Sequence, residues 1–223
     1  MSMVLSPVEA RVVGSLIEKE FTTPEYYPLS LHALAAACSQ KSNRDPVIHF
    51  GESEIMQALD SLRDKHLAWQ TTAPGARVPK YRHDAAAVFA LTPPELAILG
   101  ELLLRGPQTV GELRTHAARF CEFADLAQVE ATLRKLAERE AGPLVVKLAR
   151  EAGRRENRFA QLLTGEAFTV SAPPEAAPPA ATAHADRIAR LEQEVAALRA
   201  EMAELKQQID ERQPGPEDQN IPK

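Results

Sequence analysis

The chain has 223 residues, of which 44% are hydrophobic and 26% charged, and a formal net charge of −5. That suffices for one large domain, or for two small ones plus a tail. No apolar run approaches the roughly 18 residues of a membrane span, and the start lacks a basic-then-apolar leader, so the expectation is a cytoplasmic protein with no membrane partner.

In chain order, Leu5-Ser6-Pro7-Val8-Glu9 opens the first predicted helix, near residues 6–19. Ser6 can cap free backbone N–H groups, Pro7 sits where a missing N–H is harmless, and Glu9 completes a capping box. Helices near 30–39 and 53–65 follow, with Ser30 and Ser53 as caps, then strands near 67–72 and 78–83. The only two cysteines, Cys38 and Cys121, lie in helical stretches without metal or redox spacing and are expected to be buried free thiols.

At Leu91 the pattern begins again. Leu91-Thr92-Pro93-Pro94-Glu95 and Gly100-Glu101-Leu102-Leu103 repeat Leu5 to Glu9 and Gly14-Ser15-Leu16-Ile17 at an offset of 86. Ile55, Leu59 and Leu62 match Val129, Leu133 and Leu136 at an offset of 74, each set with the i, i+4, i+7 spacing of a buried helical stripe. Gly75, Arg77, Lys80 and Tyr81 match Gly153, Arg155, Arg158 and Phe159 at an offset of 78, so loops of different length separate shared elements. The second copy predicts helices near 92–105, 109–119 and 125–140 and strands near 144–150 and 157–163. The fold class is therefore mainly α with small β-hairpins (α+β). Three helices closed by a hairpin, written twice, predict two tandem winged-helix domains, 1–88 and 89–170, each over its own apolar interior.

Residues 171–185 are a Pro/Ala-rich linker carrying Pro173, Pro174, Pro178 and Pro179. Over 186–212, Ile188, Leu191, Val195, Leu198, Met202, Leu205 and Ile209 recur at alternating gaps of three and four, a heptad seam. Arg187 with Glu192, Glu194 with Arg199 and Glu201 with Lys206 pair opposite charges in a parallel, in-register homodimer; the alternatives are a helix folding back on its own domain or binding another protein. Residues 213–223 are expected to be disordered. Residues 171–223 hold 10 acidic against 6 basic groups, so most of the acidity is in the tail and the repeats are close to neutral.

Several stretches resemble the YceH-like family of bacterial proteins. In the first copy these are Glu9-Ala10-Arg11-Val12 with Gly14, Thr22-Thr23-Pro24-Glu25 with Tyr27-Pro28-Leu29-Ser30, Ala37-Cys38 with Gln40-Lys41, and Asn43-Arg44 with Pro46-Val47. In the second they are Leu103-Leu104-Arg105-Gly106 with Gln108-Thr109, Gly111-Glu112-Leu113-Arg114 and Leu148-Ala149-Arg150-Glu151. The resemblance covers residues 5 to about 163 and implies the tandem winged-helix fold; the family's function is uncharacterised.

For function, the leading expectation is a dimeric regulator that binds or associates with double-stranded DNA. A winged helix offers its third helix to the major groove and its hairpin tip to the backbone. The candidate phosphate contacts are Arg77, Lys80 and Arg82 in the first hairpin and Arg154, Arg155 and Arg158 in the second. The first third helix would expose Glu54, Gln57, Asp60, Ser61, Asp64 and Lys65, an acidic set, which favours the rival reading of a protein-interaction scaffold. The second is mixed, with Gln128, Thr132, Arg134, Lys135 and Arg139 beside Glu130 and Glu138. Gln40, Lys41, Asn43 and Arg44 form a polar loop that either presents cations to a partner or satisfies a tight connection. No enzyme activity, cofactor or metal is expected: His32, His49, His66, His83, His116 and His184 form no i, i+4 pair, and no phosphate loop or nucleophile elbow appears.

Overall fold

The computed structural model describes residues 3–72, 78–150 and 156–165, and residues 193, 196, 199 and 202 of the tail. In the first repeat, α1 (Pro7–Thr22) begins as its sequence requires: Ser6 Oγ accepts from the Glu9 N–H at 3.2 Å, and the Ser6 N–H donates to Glu9 Oε2 at 2.6 Å. A short 3-10 turn leads to β1 (Leu29–Ser30), and Ser30 Oγ caps α2 (Leu31–Cys38). The third helix, α3 (Glu52–Asp64), is capped by Gly51 rather than Ser53: Glu54 reaches back to accept from the Gly51 N–H at 2.8 Å, and Ser53 stands inside the helix. The hairpin β2 (Ala68–Thr71) and β3 (Lys80–His83) follows, then a single turn, α4 (Ala85–Val88).

The second repeat runs α5 (Pro93–Arg105), α6 (Val110–Ala117), α7 (Leu126–Ala137), β4 (Val145–Lys147) and β5 (Phe159–Gln161). Thr109 and Asp125 accept with their side chains from the N–H groups of Glu112 and Gln128. These helices and antiparallel strands place the chain in the mixed α+β class, and among the described residues of the two repeats ten of thirteen elements lie where the periodicity predicts them. The 3-10 turn, β1 and α4 are too short, at two to four residues, to leave a periodic signal.

Both sheets share one plan. In the first, the strand order is β1-β3-β2, with Leu29 opposite Tyr81 and Ala68 opposite His83. Alternation along β3 turns Tyr81 and His83 inward and Lys80 and Arg82 to solvent. In the second, β4 pairs with β5, and Gln108 bridges to Phe159 at the position that β1 fills in the first. Thus the strand between the first two helices survives in the second copy as a single bridge, held by reciprocal backbone bonds of 3.0 and 2.7 Å between Gln108 and Phe159.

The expectation of two separate interiors is corrected. One apolar cluster runs through both repeats, joining Val13, Leu16 and Ile17 of α1 to Leu99, Leu102 and Leu103 of α5. Residues 9–18 of α1 and 95–104 of α5 are buried without interruption, the mark of helices covered on every side. Residues Met1–Ser171 accordingly form one compact unit, and Ala172–Lys223 a second. In the second unit the four described residues are helical, and Met202 is 58% exposed. The other seam residues, Ile188, Leu191, Val195, Leu198, Leu205 and Ile209, lie outside the described residues. No helix among the described residues is long and apolar enough to cross a membrane.

The α1–α5 crossing turns on two glycines at equivalent places in the repeat. A Cβ on Gly100 would lie 2.7 Å from Ile17 Cγ2, and one on Gly14 would lie 3.0 Å from Leu104 Cγ and 3.1 Å from Leu103 Cβ. Because Ile17 and Leu103 also correspond, the contact is reciprocal, each glycine receiving the partner helix's side chain. Gly100→Ala should therefore destabilise the protein by about 1–3 kcal/mol through overpacking. Gly111→Ala is the control: nothing lies within 4 Å of the added carbon, and helix propensity should yield a gain of about 0.5–1 kcal/mol. Chemical denaturation of both variants checks this, and equal effects of one sign would refute it.

Candidate functional site

The residues expected to meet phosphate separate into three groups. Lys80 and Arg82 are exposed on the outer face of β3, but Arg82 forms an ion pair with Asp84 at 3.2 Å. Arg158 is half-buried and donates to the Pro107 carbonyl, so it turns into the protein rather than toward a backbone. Arg77, Arg154 and Arg155 lie outside the described residues.

On α3 the exposed side chains are Glu52, Ser53, Glu54, Gln57, Asp60, Arg63 and Asp64, and Arg63 is engaged with Asp60 at 3.2 Å. Lys65 is not part of this face; its ammonium donates to Glu9 Oε1 at 2.6 Å and to the Val4 carbonyl at 2.9 Å. Ser61 is only partly exposed. The α3 face is thus more acidic than the sequence implies. On α7, Arg134, Lys135 and Glu130 are exposed and Thr132 is buried with its hydroxyl on the Gln128 carbonyl; just beyond the helix, Arg139 donates to the Phe89 carbonyl.

A cleft of about 620 Å³ lies between α6, α7 and the β4–β5 hairpin. Val110, Leu126, Leu133 and Phe159 supply its apolar surface; Arg134 and Lys147 stand with Glu130, Glu138 and Glu156 around it. Leu126 is 47% exposed at the start of α7, an apolar side chain that the repeat's own packing does not cover. In sequence this residue reads as one more hydrophobic position after a cap, so periodicity alone does not single it out.

The polar loop has a different location from the one a partner would need. Asn43 and Arg44 are buried, whereas Lys41 is exposed and Gln40 partly so. Asn43, held at a φ of 54°, donates from one amide nitrogen to Glu18 Oε1 at 3.1 Å and Glu101 Oε2 at 3.0 Å, joining a carboxylate of α1 to one of α5. Arg44 donates to Glu18 Oε2 at 2.6 Å and to the Ala37 carbonyl at 2.7 Å. Arg119 approaches Glu18 Oε1 at 3.0 Å. Gln40 donates to the Ser42 carbonyl at 2.9 Å and toward Glu18 at 3.4 Å. These contacts give the loop a structural role at the junction of the repeats. Glu18 and Glu101 carry no sequence signal for this: a glutamate on a helix ordinarily reads as a solvated charge.

The two carboxyls are held in opposite protonation tendencies. Burial pushes Glu18 up, but the hydrogen bond and charge of Arg44, with Arg119 and Asn43, bring it below the ordinary carboxyl range. For Glu101 burial wins, and the Asn43 bond and the charges of Arg105 and Arg119 offset it only in part, so its pKa is raised. Its Oε1 is buried without a hydrogen bond among the described residues, with Arg105 at 3.6 Å and His116 at 3.9 Å. Both cysteines are free thiols. Cys38 is buried and its thiol pushed up to about 11 by desolvation, while Cys121 is half-buried. His83 bonds Glu20 at 2.7 Å, and His66 stacks on Trp69 at 5.7 Å.

A raised carboxyl favours the fold below its unfolded-state value, and that contribution is lost as pH rises through the folded-state value. The depressed Glu18 acts in the reverse sense, losing its contribution as pH falls. Glu101→Gln, which keeps an acceptor for Asn43 but cannot ionise, should therefore gain stability relative to the natural protein between pH 5 and pH 8. Denaturant midpoints at the two pH values check this; a difference that does not change with pH would rule it out.

Residues 5–154 match the family described as "Protein of unknown function, DUF480". The chain is 56% identical over 215 residues to a "UPF0502 protein" of Pelobacter propionicus, covering 95% of this chain and 97% of the other. It is 51% identical over 195 residues to a "UPF0502 protein" of Citrifermentans bemidjiense, covering 87% and 90%. A "UPF0502 protein" of Aeromonas hydrophila is 49% identical over 215 residues, covering 94% and 98%. The resemblance carried by Thr22-Thr23-Pro24-Glu25, Asn43-Arg44 and Gly111-Glu112-Leu113-Arg114 is borne out: this chain belongs to the DUF480 (UPF0502) family of uncharacterised bacterial proteins.

Proposed function

We propose that this protein works by binding rather than by chemistry, and that its second repeat engages another polypeptide in the cleft between α6, α7 and the β4–β5 hairpin. One observation carries the reading: the cleft of about 620 Å³ combines an apolar surface around Leu126 and Phe159 with charges of both signs. An apolar anchor side chain flanked by charges fits such a surface, whereas a phosphate backbone favours uniformly basic walls. We read each repeat as a winged helix whose third-helix face serves this purpose. The acidic α3 face argues in the same direction, because it would repel phosphate.

Contact with double-stranded DNA is the second reading, supported by Arg134, Lys135 and Lys147, which are exposed together on the second repeat. Leu126→Asp separates the two. It should abolish retention of a polypeptide partner by the tagged full-length chain, while gel shifts with mixed DNA fragments remain absent or unchanged. If DNA is bound instead, affinity should fall with salt at a log-log slope of about 0.9 per phosphate contact, and Arg134→Glu rather than Leu126→Asp should remove it.

The seam over 186–212 is read as a parallel homodimer contact, which would double either binding face and raise avidity. The exposed Met202 supports it, since a helix presenting such a residue gains by pairing. Deleting residues 184–212 should halve the mass measured by light scattering; an unchanged mass would leave the seam without this role.

A further inference from the structure

A second cleft, of about 460 Å³, lies between the two repeats, where α1, the loop after α2, the end of α5 and β5 meet. Three arginines line it, Arg11, Arg105 and Arg158, against a single acidic residue, Asp45. Ile48, Phe50, Leu102 and Leu103 contribute apolar walls. The volume and lining are those of small-molecule sites: apolar surface with a few polar groups that fix orientation.

The arginines differ in how their charge is met. Arg105 lies 3.6 Å from Glu101. Arg11 is buried at 5% exposure, yet its guanidinium donates to neutral carbonyls, those of Cys38 at 3.1 Å and Pro46 at 2.7 Å. No carboxylate among the described residues forms an ion pair with it. Arg158 likewise donates to the Pro107 carbonyl, and its Nε is buried with no hydrogen-bond partner among the described residues. Neither guanidinium forms an ion pair among the described residues: Arg11 rests on the two carbonyls and over the Phe50 ring at 5.9 Å, and Arg158 on the Pro107 carbonyl, while the carboxylates of the junction are taken up by Arg44, Arg119 and Asn43. A buried cation without a counter-ion is costly, and an anion delivered to it gains a charge-assisted hydrogen bond in surroundings where such bonds are strong. We propose that this cleft is a binding site for a small organic anion, with a phosphate or carboxylate head toward Arg11 and Arg158 and an apolar body against Ile48 and Phe50. The site is made by both repeats at once, so an occupant would brace the junction between them. It is distinct from the cleft around Leu126 and does not depend on what that cleft binds.

Phenyl phosphate, which joins an anionic head to an apolar ring, is the probe. Titrated into the ¹⁵N-labelled full-length chain, it should shift the amide signals of Ile48, Phe50 and Gly106 with saturation below about 1 mM. Inorganic phosphate should act on the same signals more weakly. Arg158→Met should weaken phenyl phosphate at least about tenfold, a loss of about 1.4 kcal/mol. Because Arg158 also holds the Pro107 carbonyl, Ile48→Asp provides a second variant. Ile48 is 40% exposed, so a carboxylate there should repel the anion while the amide spectrum stays that of the folded protein. No shifts up to about 10 mM, shifts centred on Val110 and Leu126, or full affinity in Ile48→Asp would each overturn the proposal.

Discussion

The close crossing of α1 and α5 is the contact on which the rest of this structure depends. Two glycines, Gly14 and Gly100, let the helices approach until each receives a side chain of the other, and a methyl group at Gly100 would already collide with Ile17. Around that point both helices are buried on every side, one arc facing the elements of their own repeat and the other facing the sister helix. Backbone bonds outside the crossing tie the same two halves, from the Asp45 N–H to the Leu104 carbonyl at 3.0 Å and from the Leu5 N–H to the Leu163 carbonyl at 2.6 Å. The stacked rings of Phe21 and Phe120, 6.0 Å apart, extend the apolar contact. The repeats are therefore two halves of one body rather than two beads on a string.

Within this apolar junction lies a polar network that burial makes demanding. Glu18 and Glu101 are fully buried, and removing Arg44, the buried ion-pair partner of Glu18, would cost about 3–5 kcal/mol because the carboxylate is left charged and dry. Asn43 satisfies one oxygen of each carboxyl from a single nitrogen, which requires the left-handed backbone that places the amide between α1 and α5. Charge of this kind adds little net stability compared with hydrophobic packing, but its directional bonds are satisfied in only one arrangement of the two helices. The apolar crossing supplies the attraction, and the network selects the register.

The same plan yields two unlike outer faces. The third helix of the first repeat shows glutamates and aspartates, whereas that of the second shows mixed charge beside an apolar cleft. Since the buried stripes Ile55, Leu59, Leu62 and Val129, Leu133, Leu136 correspond while the exposed positions do not, duplication has kept the packing and released the surface. A division of labour follows naturally, with the first repeat contributing the junction loop and the second the apolar cleft.

Local chemistry let the sequence alone determine the order of the longer helices and strands, both helix starts at Ser6 and Thr92 and the hairpin after each third helix, while the motifs carried the resemblance to the family. Caps, prolines and i, i+4, i+7 stripes act over a few residues and are legible wherever they occur. The sequence did not determine that the interiors merge, that Asn43 and Arg44 face inward, that Arg158 turns to Pro107, or that Glu101 is held toward its neutral form. Each of these depends on groups far apart in the chain, such as Asn43 with Glu101 or Arg158 with Pro107, meeting in a medium of low polarity. Periodicity says that a face is buried but not against what, and the partner decides whether a charge is solvated, paired or left waiting for one.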